Sequence, residues 1–236
     1  MKTVLAIFVL LLGAIAMANE NVKILIITGG HDFEREPFFK MFSDMKNVVF
    51  DTVSHPSANA LYSSSKMDDV DVLVFYDMYQ DISEQQQADF VDLAKRGKGF
   101  LFLHHSLVSY QAWDDYKQIL GGRYNLEPED KSKTSSFKHG LDMHITIADS
   151  THPVVSGLKD FVIHDEAYGN FEVLPGVHPL LKTNHPESGE IIGWTNEYGK
   201  SRIVYLQLGH DHFAYENENY STLVRNALMW LANNEN

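Results

Sequence analysis

Gly99-Phe100-Leu101-Phe102-Leu103-His104-His105-Ser106 is the stretch that decides the fold. Its apolar run shows no polar alternation, as expected of a parallel strand covered on both faces. The two histidines then fall where such a strand ends. Just upstream, Ser83 and Gln86 form a capping box that predicts an amphipathic helix to about Arg96, closed by residues 97–99. Further back, Val22-Lys23-Ile24-Leu25-Ile26-Ile27 is a second such run. It leads through Thr28-Gly29-Gly30-His31-Asp32 to a helix expected near Pro37. Residues 48–53 and 70–76 read as strands, and a helix over 116–120 stops at Gly121-Gly122. Strand, glycine turn and helix alternate, which predicts βαβ units with a parallel sheet and right-handed crossovers placing helices on both faces.

Downstream the pattern loosens. Residues 125–140 are charged and serine-rich without a period and read as a surface excursion. Short strands are expected over 143–147, 161–163, 180–183 and 191–194. Arg202-Ile203-Val204-Tyr205-Leu206-Gln207-Leu208 then runs into Gly209-His210-Asp211-His212. A closing helix over 220–232 is expected to bury Leu223, Ala227, Leu228 and Leu231. No repeat, low-complexity tract or composition shift divides the chain, so residues 19–236 read as a single α/β domain.

The first eighteen residues stand apart. Lys2, an apolar stretch over 4–15 and Ala16-Met17-Ala18 make the pattern of a cleaved signal peptide. The apolar stretch is shorter than the roughly 20 residues a membrane span needs. The expectation is an exported protein, periplasmic or secreted, with no stable membrane anchor after cleavage. The chain has no cysteine, so a lipid anchor on that side chain and a thiol nucleophile are both excluded. A formal net charge of −13 repels phosphate backbones and argues against nucleic acid as a partner.

In an open parallel sheet, ligands bind beyond the carboxyl ends of the strands. His31, His104, His105, His210 and His212 fall at such ends, and Asp165 and Glu166 follow the strand expected over 161–163. Imidazoles converging with a carboxylate can work as acid and base or hold a divalent metal, zinc or similar. His31, His104, Glu166 and His210 are the candidate metal ligands, although the spacing matches no compact zinc motif. Bland roles compete: a strand-end histidine often only donates to a loop carbonyl. His152, before Pro153, suits a helix cap, while His55, His178 and His185, each before proline, read as turn residues in solvent.

Several of these segments together resemble the ThuA-like, or trehalose-utilisation, family. They are Ile27-Thr28-Gly29-Gly30-His31-Asp32-Phe33, Gly99 through His105, Leu120-Gly121-Gly122-Arg123-Tyr124 and His152-Pro153-Val154. To these add Gly157-Leu158, Asp165-Glu166-Ala167-Tyr168 and Gly209-His210-Asp211. The resemblance implies a flavodoxin-like, doubly wound, mostly parallel sheet with helices on both faces, the fold of class I glutamine amidotransferases. It sets His104 at the place of their nucleophilic cysteine and His210 at that of their catalytic histidine, and it sets Phe137-Lys138-His139 at the family's pocket histidine. Without a thiol, glutamine hydrolysis by that mechanism is excluded. What the resemblance implies instead is carbohydrate catabolism, with a small-molecule carbohydrate as ligand and a sugar dehydrogenase as pathway partner.

On that basis the leading expectation is acid–base, or metal-assisted, processing of an oxidised 3-keto sugar or glycoside by enolisation, with elimination, hydrolysis or isomerisation. The ketone acidifies its neighbouring C–H bonds. His104 or Glu166 is the expected base, with His210 as acid or enolate stabiliser. His31, Asp32, His105, His139, Tyr168 and His212 are expected to contact substrate. Trp113, Tyr110 and Tyr215 are candidates for stacking on sugar, with core packing as their competing role. Two other readings stay open: an exported sugar-binding or accessory protein without catalysis, and a metal-dependent hydrolase. Ser106 as a serine nucleophile lacks a G-x-S-x-G elbow.

Overall fold

The computed structural model describes residues 21–233; the signal-peptide reading falls on residues outside that range. Five strands form the parallel half of one nine-stranded sheet: β1 (Val22–Gly29), β2 (Val48–Ser54), β3 (Val72–Asp77), β4 (Gly99–Leu103) and, late in the chain, β11 (Ser201–Leu206). Between β4 and β11 come β5 (Gly122–Arg123), β6 (Ser136–Ile147), β7 (Phe161–Gly169), β8 (Glu172–Val173), β9 (His178–Thr183) and β10 (Ile191–Tyr198). The order is β2-β1-β3-β4-β11-β10-β9-β6-β7, and β5 with β8 makes a separate two-stranded ladder. From β11 to β7 every pairing is antiparallel.

The helices are α1 (Arg35–Ser43), α2 (Glu84–Lys95), α3 (Asp114–Leu120), the single turn α4 (His212–Tyr215) and α5 (Glu218–Ala232). The pleat sorts the buried strand residues onto two faces. Ile24, Ile26, Val74 and Leu101 pack with Phe38 and Phe42 of α1 and Leu223 and Leu228 of α5. Leu25, Ile27, Phe75, Phe100 and Phe102 pack with Phe90 and Leu93 of α2 and Ile119 of α3. Helices thus cover both faces of the parallel half, and the fold is of the flavodoxin-like α/β kind. Ser83 caps α2 with the capping box: it accepts from the Gln86 N–H while Gln86 Oε1 accepts from the Ser83 N–H. No helix among the described residues is long and apolar enough to cross a membrane.

The structure corrects three local readings. The stretch 125–140 is not irregular throughout, since β6 begins at Ser136. Nor does the strand expected at 161–163 end there: β7 continues to Gly169, so Asp165 and Glu166 lie within it rather than after it. Charged residues broke the apolar pattern, yet the ladder with β6 carries them. His55 is not a solvated turn residue, because its imidazole is 1% exposed and faces the buried Asp77 carboxylate at 3.2 Å.

Candidate functional site

β4 ends at Leu103, and His104 follows with φ +49°, a left-handed conformation that costs a non-glycine residue about 1–2 kcal/mol. That turn is pinned from below: the Tyr205 hydroxyl donates to the His104 carbonyl (3.0 Å), and the Tyr116 hydroxyl to that of Ser106 (2.8 Å). The conformation drives the His104 ring inward, where it is fully buried. His104 Nδ1 lies 2.6 Å from the Gln207 carbonyl, which can only accept, so Nδ1 carries a proton. Nε2 therefore points at Glu166 Oε2 (2.8 Å), the Tyr168 hydroxyl (3.0 Å) and His210 Nδ1 (3.2 Å). His210 Nδ1 is itself 3.2 Å from Glu166 Oε2.

Three strands separate β7 from β11 in the sheet, so this meeting requires the antiparallel half to coil back over the carboxyl ends of the parallel half. Asp165 fastens it there. Its Oδ1 accepts from the Glu166 and His210 N–H groups (2.8 and 3.0 Å), and its Oδ2 from the Gly209 N–H (2.8 Å). Strand alternation turns Asp165 away from Glu166, so one residue anchors while the next faces the site. Gly209 is required at this joint: φ is +117°, and a Cβ would lie 2.2 Å from the Tyr220 hydroxyl oxygen.

His139 arrives by a β-bulge. Lys138 opposes Ala167 and Leu141 opposes Asp165, so three steps on β6 face two on β7, with Gly140 at φ +67°. The extra residue re-aims the His139 ring, and Nδ1 lies 3.2 Å from Glu166 Oε1. From the opposite side, His31 leaves β1 through Gly29-Gly30; its ring centroid is 4.9 Å from that of His105 and 6.3 Å from that of His210. Gly30 permits the approach, because a Cβ there would sit 1.7 Å from the Met78 carbonyl oxygen.

Charge follows the geometry. Burial opposes ionisation of Glu166, but hydrogen bonds from His104 and His210 outweigh it and hold the carboxyl well below the usual carboxylate range. Burial likewise pulls the His210 pKa down, and the Glu166 carboxylate more than restores it, leaving a net rise. His31 and His105 are lowered by burial and by neighbouring imidazoles, His105 strongly. Burial raises Asp165, with the His104 charge and its three N–H partners opposing.

His104, Glu166 and His210 form the one group of three or more candidate metal donors among the described residues whose ligand atoms all lie within 4.8 Å of one another. His31 stands outside that set, so three of the four expected metal ligands converge. Their separations of 2.8, 3.2 and 3.2 Å compare with about 3.4 Å between ligands of a tetrahedral zinc ion at roughly 2.0–2.1 Å bond lengths. The Nδ1–H of His104 on a carbonyl is also the outer support that metal-binding imidazoles use. The donor set fits a divalent cation after slight spreading.

Beside this group lies a cavity of about 290 Å³ lined by His31, His105, His139, Glu166 and Tyr168, together with Tyr79, Tyr124 and Phe137. It opens beside β1 and β3, the switch point of the strand order. Two expected contacts lie elsewhere. His212 is paired with Glu34 at 2.9 Å, outside the cavity lining, and Asp32 is exposed in a neighbouring hollow beside Arg35 and Ser54. Trp113, Tyr110 and Tyr215 are core residues, 6%, 2% and 2% exposed, so the sugar-stacking reading fails for them. The aromatics that do line the cavity went unread for that role. Their signal was placement after Asp77 at the end of β3 and beside the β6 bulge. Asp165 went unread as an anchor, although its alternation with Glu166 was visible.

The family profile described as ThuA, trehalose utilisation, matches residues 23–231. No curated protein matches the chain. Among solved structures, a ThuA-like protein from Parabacteroides merdae is 18% identical with a TM-score of 0.75 over 91% of each chain. A second, from Bacteroides uniformis, is 19% identical with a TM-score of 0.69, covering 90% of this chain and 91% of that one. A β-galactosidase from Bacillus circulans is 9% identical with a TM-score of 0.54; the match covers 89% of this chain and 31% of that one. At these identities the likeness is one of fold. With the family profile spanning nearly all the described residues, the chain belongs to the ThuA family, which is linked to trehalose utilisation and carbohydrate metabolism.

Proposed function

We propose that the chain is an exported enzyme of carbohydrate catabolism that enolises an oxidised keto sugar or glycoside, and that an upstream sugar dehydrogenase supplies the ketone. The observation that carries this reading is the convergence of His104, Glu166 and His210 beside a cavity also lined by His31 and His139. His104 is not the base, because both its nitrogens are engaged within the fold. Glu166 is a poor proton acceptor, since its carboxyl is held well below the usual range. Its role is a fixed negative charge.

His139 is the better base. Its Nδ1 lies 3.2 Å from Glu166 Oε1; a proton on that nitrogen faces the carboxylate and leaves Nε2 with a lone pair. Nε2 takes the proton from the carbon beside the ketone, and the electron pair moves onto the carbonyl oxygen. The Nε2–H of His210 donates to that oxygen. A divalent cation of the zinc type, held by His104, Glu166 and His210, would add a fixed positive charge there. In a 3-keto glycoside the pair then returns to break the C1–O bond. The departing oxygen takes the proton from His139, which restores the base.

Incubation with a methyl 3-keto-glucoside in deuterium oxide tests this. Wild type is expected to place deuterium at the carbon beside the ketone, and His139→Gln to slow that exchange by about 10²-fold or more. A wild-type protein that binds the keto sugar without exchange or elimination overturns the enzyme reading in favour of a binding protein.

A further inference from the structure

Five large hydrophobic side chains stand exposed among the described residues, and two of them, Tyr79 (57%) and Phe137 (60%), line the same cavity. They come from opposite ends of the fold. Tyr79 lies just past β3 in the parallel half, and Phe137 lies in β6 of the antiparallel half, opposite Tyr168.

Tyr79 is held outward by its backbone. The Met78 N–H donates to the Gly29 carbonyl (2.9 Å), and the Gln80 carbonyl accepts from the Tyr110 N–H (2.9 Å). Between these anchors Tyr79 adopts φ +53°, a conformation that a tyrosine takes only against a penalty. A glycine would meet the same turn without strain, yet an aromatic ring stands there, displayed to solvent. Phe137 sits two residues before His139, and its ring meets that imidazole edge-on at 5.3 Å. The bulge that aims His139 at Glu166 thus has an exposed ring beside it.

The rest of the lining mixes polar His31, His139 and Glu166 with apolar Met78, Val108 and Leu126. The cavity, about 290 Å³, lies near the lower bound of roughly 300 Å³ for ligand pockets, so a larger ligand would extend onto its exposed rim. Polar groups and exposed aromatic faces sharing one cavity match a ligand whose hydroxyls meet the former and whose C–H face packs on the latter.

We propose that Tyr79 and Phe137 form an aromatic platform at the cavity mouth that receives the second ring of a two-ring glycoside, the first ring lying inside against His31, His139 and Glu166. This rests on the sugar-site reading above and narrows it to disaccharide-like substrates.

The test is calorimetric titration of methyl 3-keto-glucoside and 3-keto-trehalose onto the exchange-impaired His139→Gln protein. The two-ring ligand is expected to bind at least about tenfold more tightly. Adding Tyr79→Gly or Phe137→Ala should erase most of that advantage and leave the one-ring ligand unchanged. Because glycine relieves the left-handed backbone, Tyr79→Gly in the wild-type background should unfold at or above the wild-type midpoint, which separates lost contact from lost structure. Equal binding of the two ligands overturns the platform, and so does an advantage that survives both substitutions or an equal loss for both ligands. Failure of both ligands to bind either this protein or wild type overturns the sugar-site reading itself. An absent deuterium exchange alongside an intact two-ring preference removes only the catalytic step.

Discussion

At the scale of single residues, the site is organised by buried groups behind the cavity lining. Asp165 carries three backbone N–H groups on two oxygens. Asp165→Asn keeps the shape but turns one oxygen into an N–H donor facing another donor. The expected cost is about 1–3 kcal/mol, the desolvation penalty of an unmet buried group, measured by urea unfolding. Glu166 and His210 should lose alignment with it, so the exchange rate should fall while the circular dichroism stays native. A variant with unchanged exchange would show that Asp165 does not position the site. Asp77 is a second such residue. It faces His55 and accepts from the Ser109 hydroxyl (2.8 Å), while its backbone carbonyl holds His105 Nδ1. Asp77→Ala leaves the His55 imidazole and the Ser109 hydroxyl without their buried partner and is expected to cost about 1–3 kcal/mol in the same assay; an unchanged midpoint would contradict a structural role.

At the scale of elements, His152 illustrates how one side chain sets a pH dependence. It caps the short 3₁₀ turn Pro153–Val155, its Nδ1 accepting from the Val154 N–H at 3.2 Å. An imidazolium carries a proton on Nδ1 and cannot accept, so protonation breaks the cap. Burial lowers the His152 pKa below 6.5, and neighbouring His178 adds to the drop. A depressed folded pKa gives stability that is complete above the unfolded value and lost as pH falls below it. The wild-type urea midpoint should therefore drop between pH 7.5 and 5.5 more steeply than that of His152→Asn, a residue that caps without titrating. Parallel slopes in the two proteins would refute the cap as the source.

Legibility in the sequence followed the same divide between local and distant causes. The parallel strands and α2 announce themselves through unbroken apolar runs and a capping box, which act over a few residues. β6 and β7 do not, because His139, Asp165 and Glu166 interrupt the apolar pattern. The imidazoles at 31, 104, 105 and 210 were placed by strand ends. The burial of His55, and of Trp113, Tyr110 and Tyr215 in the core, depends on packing partners dozens of residues away, which no local pattern records.

At the scale of the whole molecule, positions 104, 166 and 210 belong to β4's turn, β7 and the loop after β11, segments joined otherwise mainly through the sheet and Asp165. A ligand bound by all three ties both halves of the sheet together and is absent from the unfolded chain. Mass action then stabilises the fold by about 2.7 kcal/mol at a hundredfold excess over Kd. For a domain of this size, that is a rise of roughly 5–11 °C at about 2–4 °C per kcal/mol. Zinc added to chelator-stripped protein should produce such a shift in the melting midpoint. Glu166→Gln should abolish it: it leaves a weaker neutral donor and removes the only carboxylate of the set. His31→Ala should keep it, because His31 lies outside the converging atoms. A zinc-independent midpoint in wild type, or a shift that survives Glu166→Gln, would mean that the three side chains are held together by a shared proton rather than by a cation. Glu166 would then be the counter-ion of an imidazolium pair and nothing more.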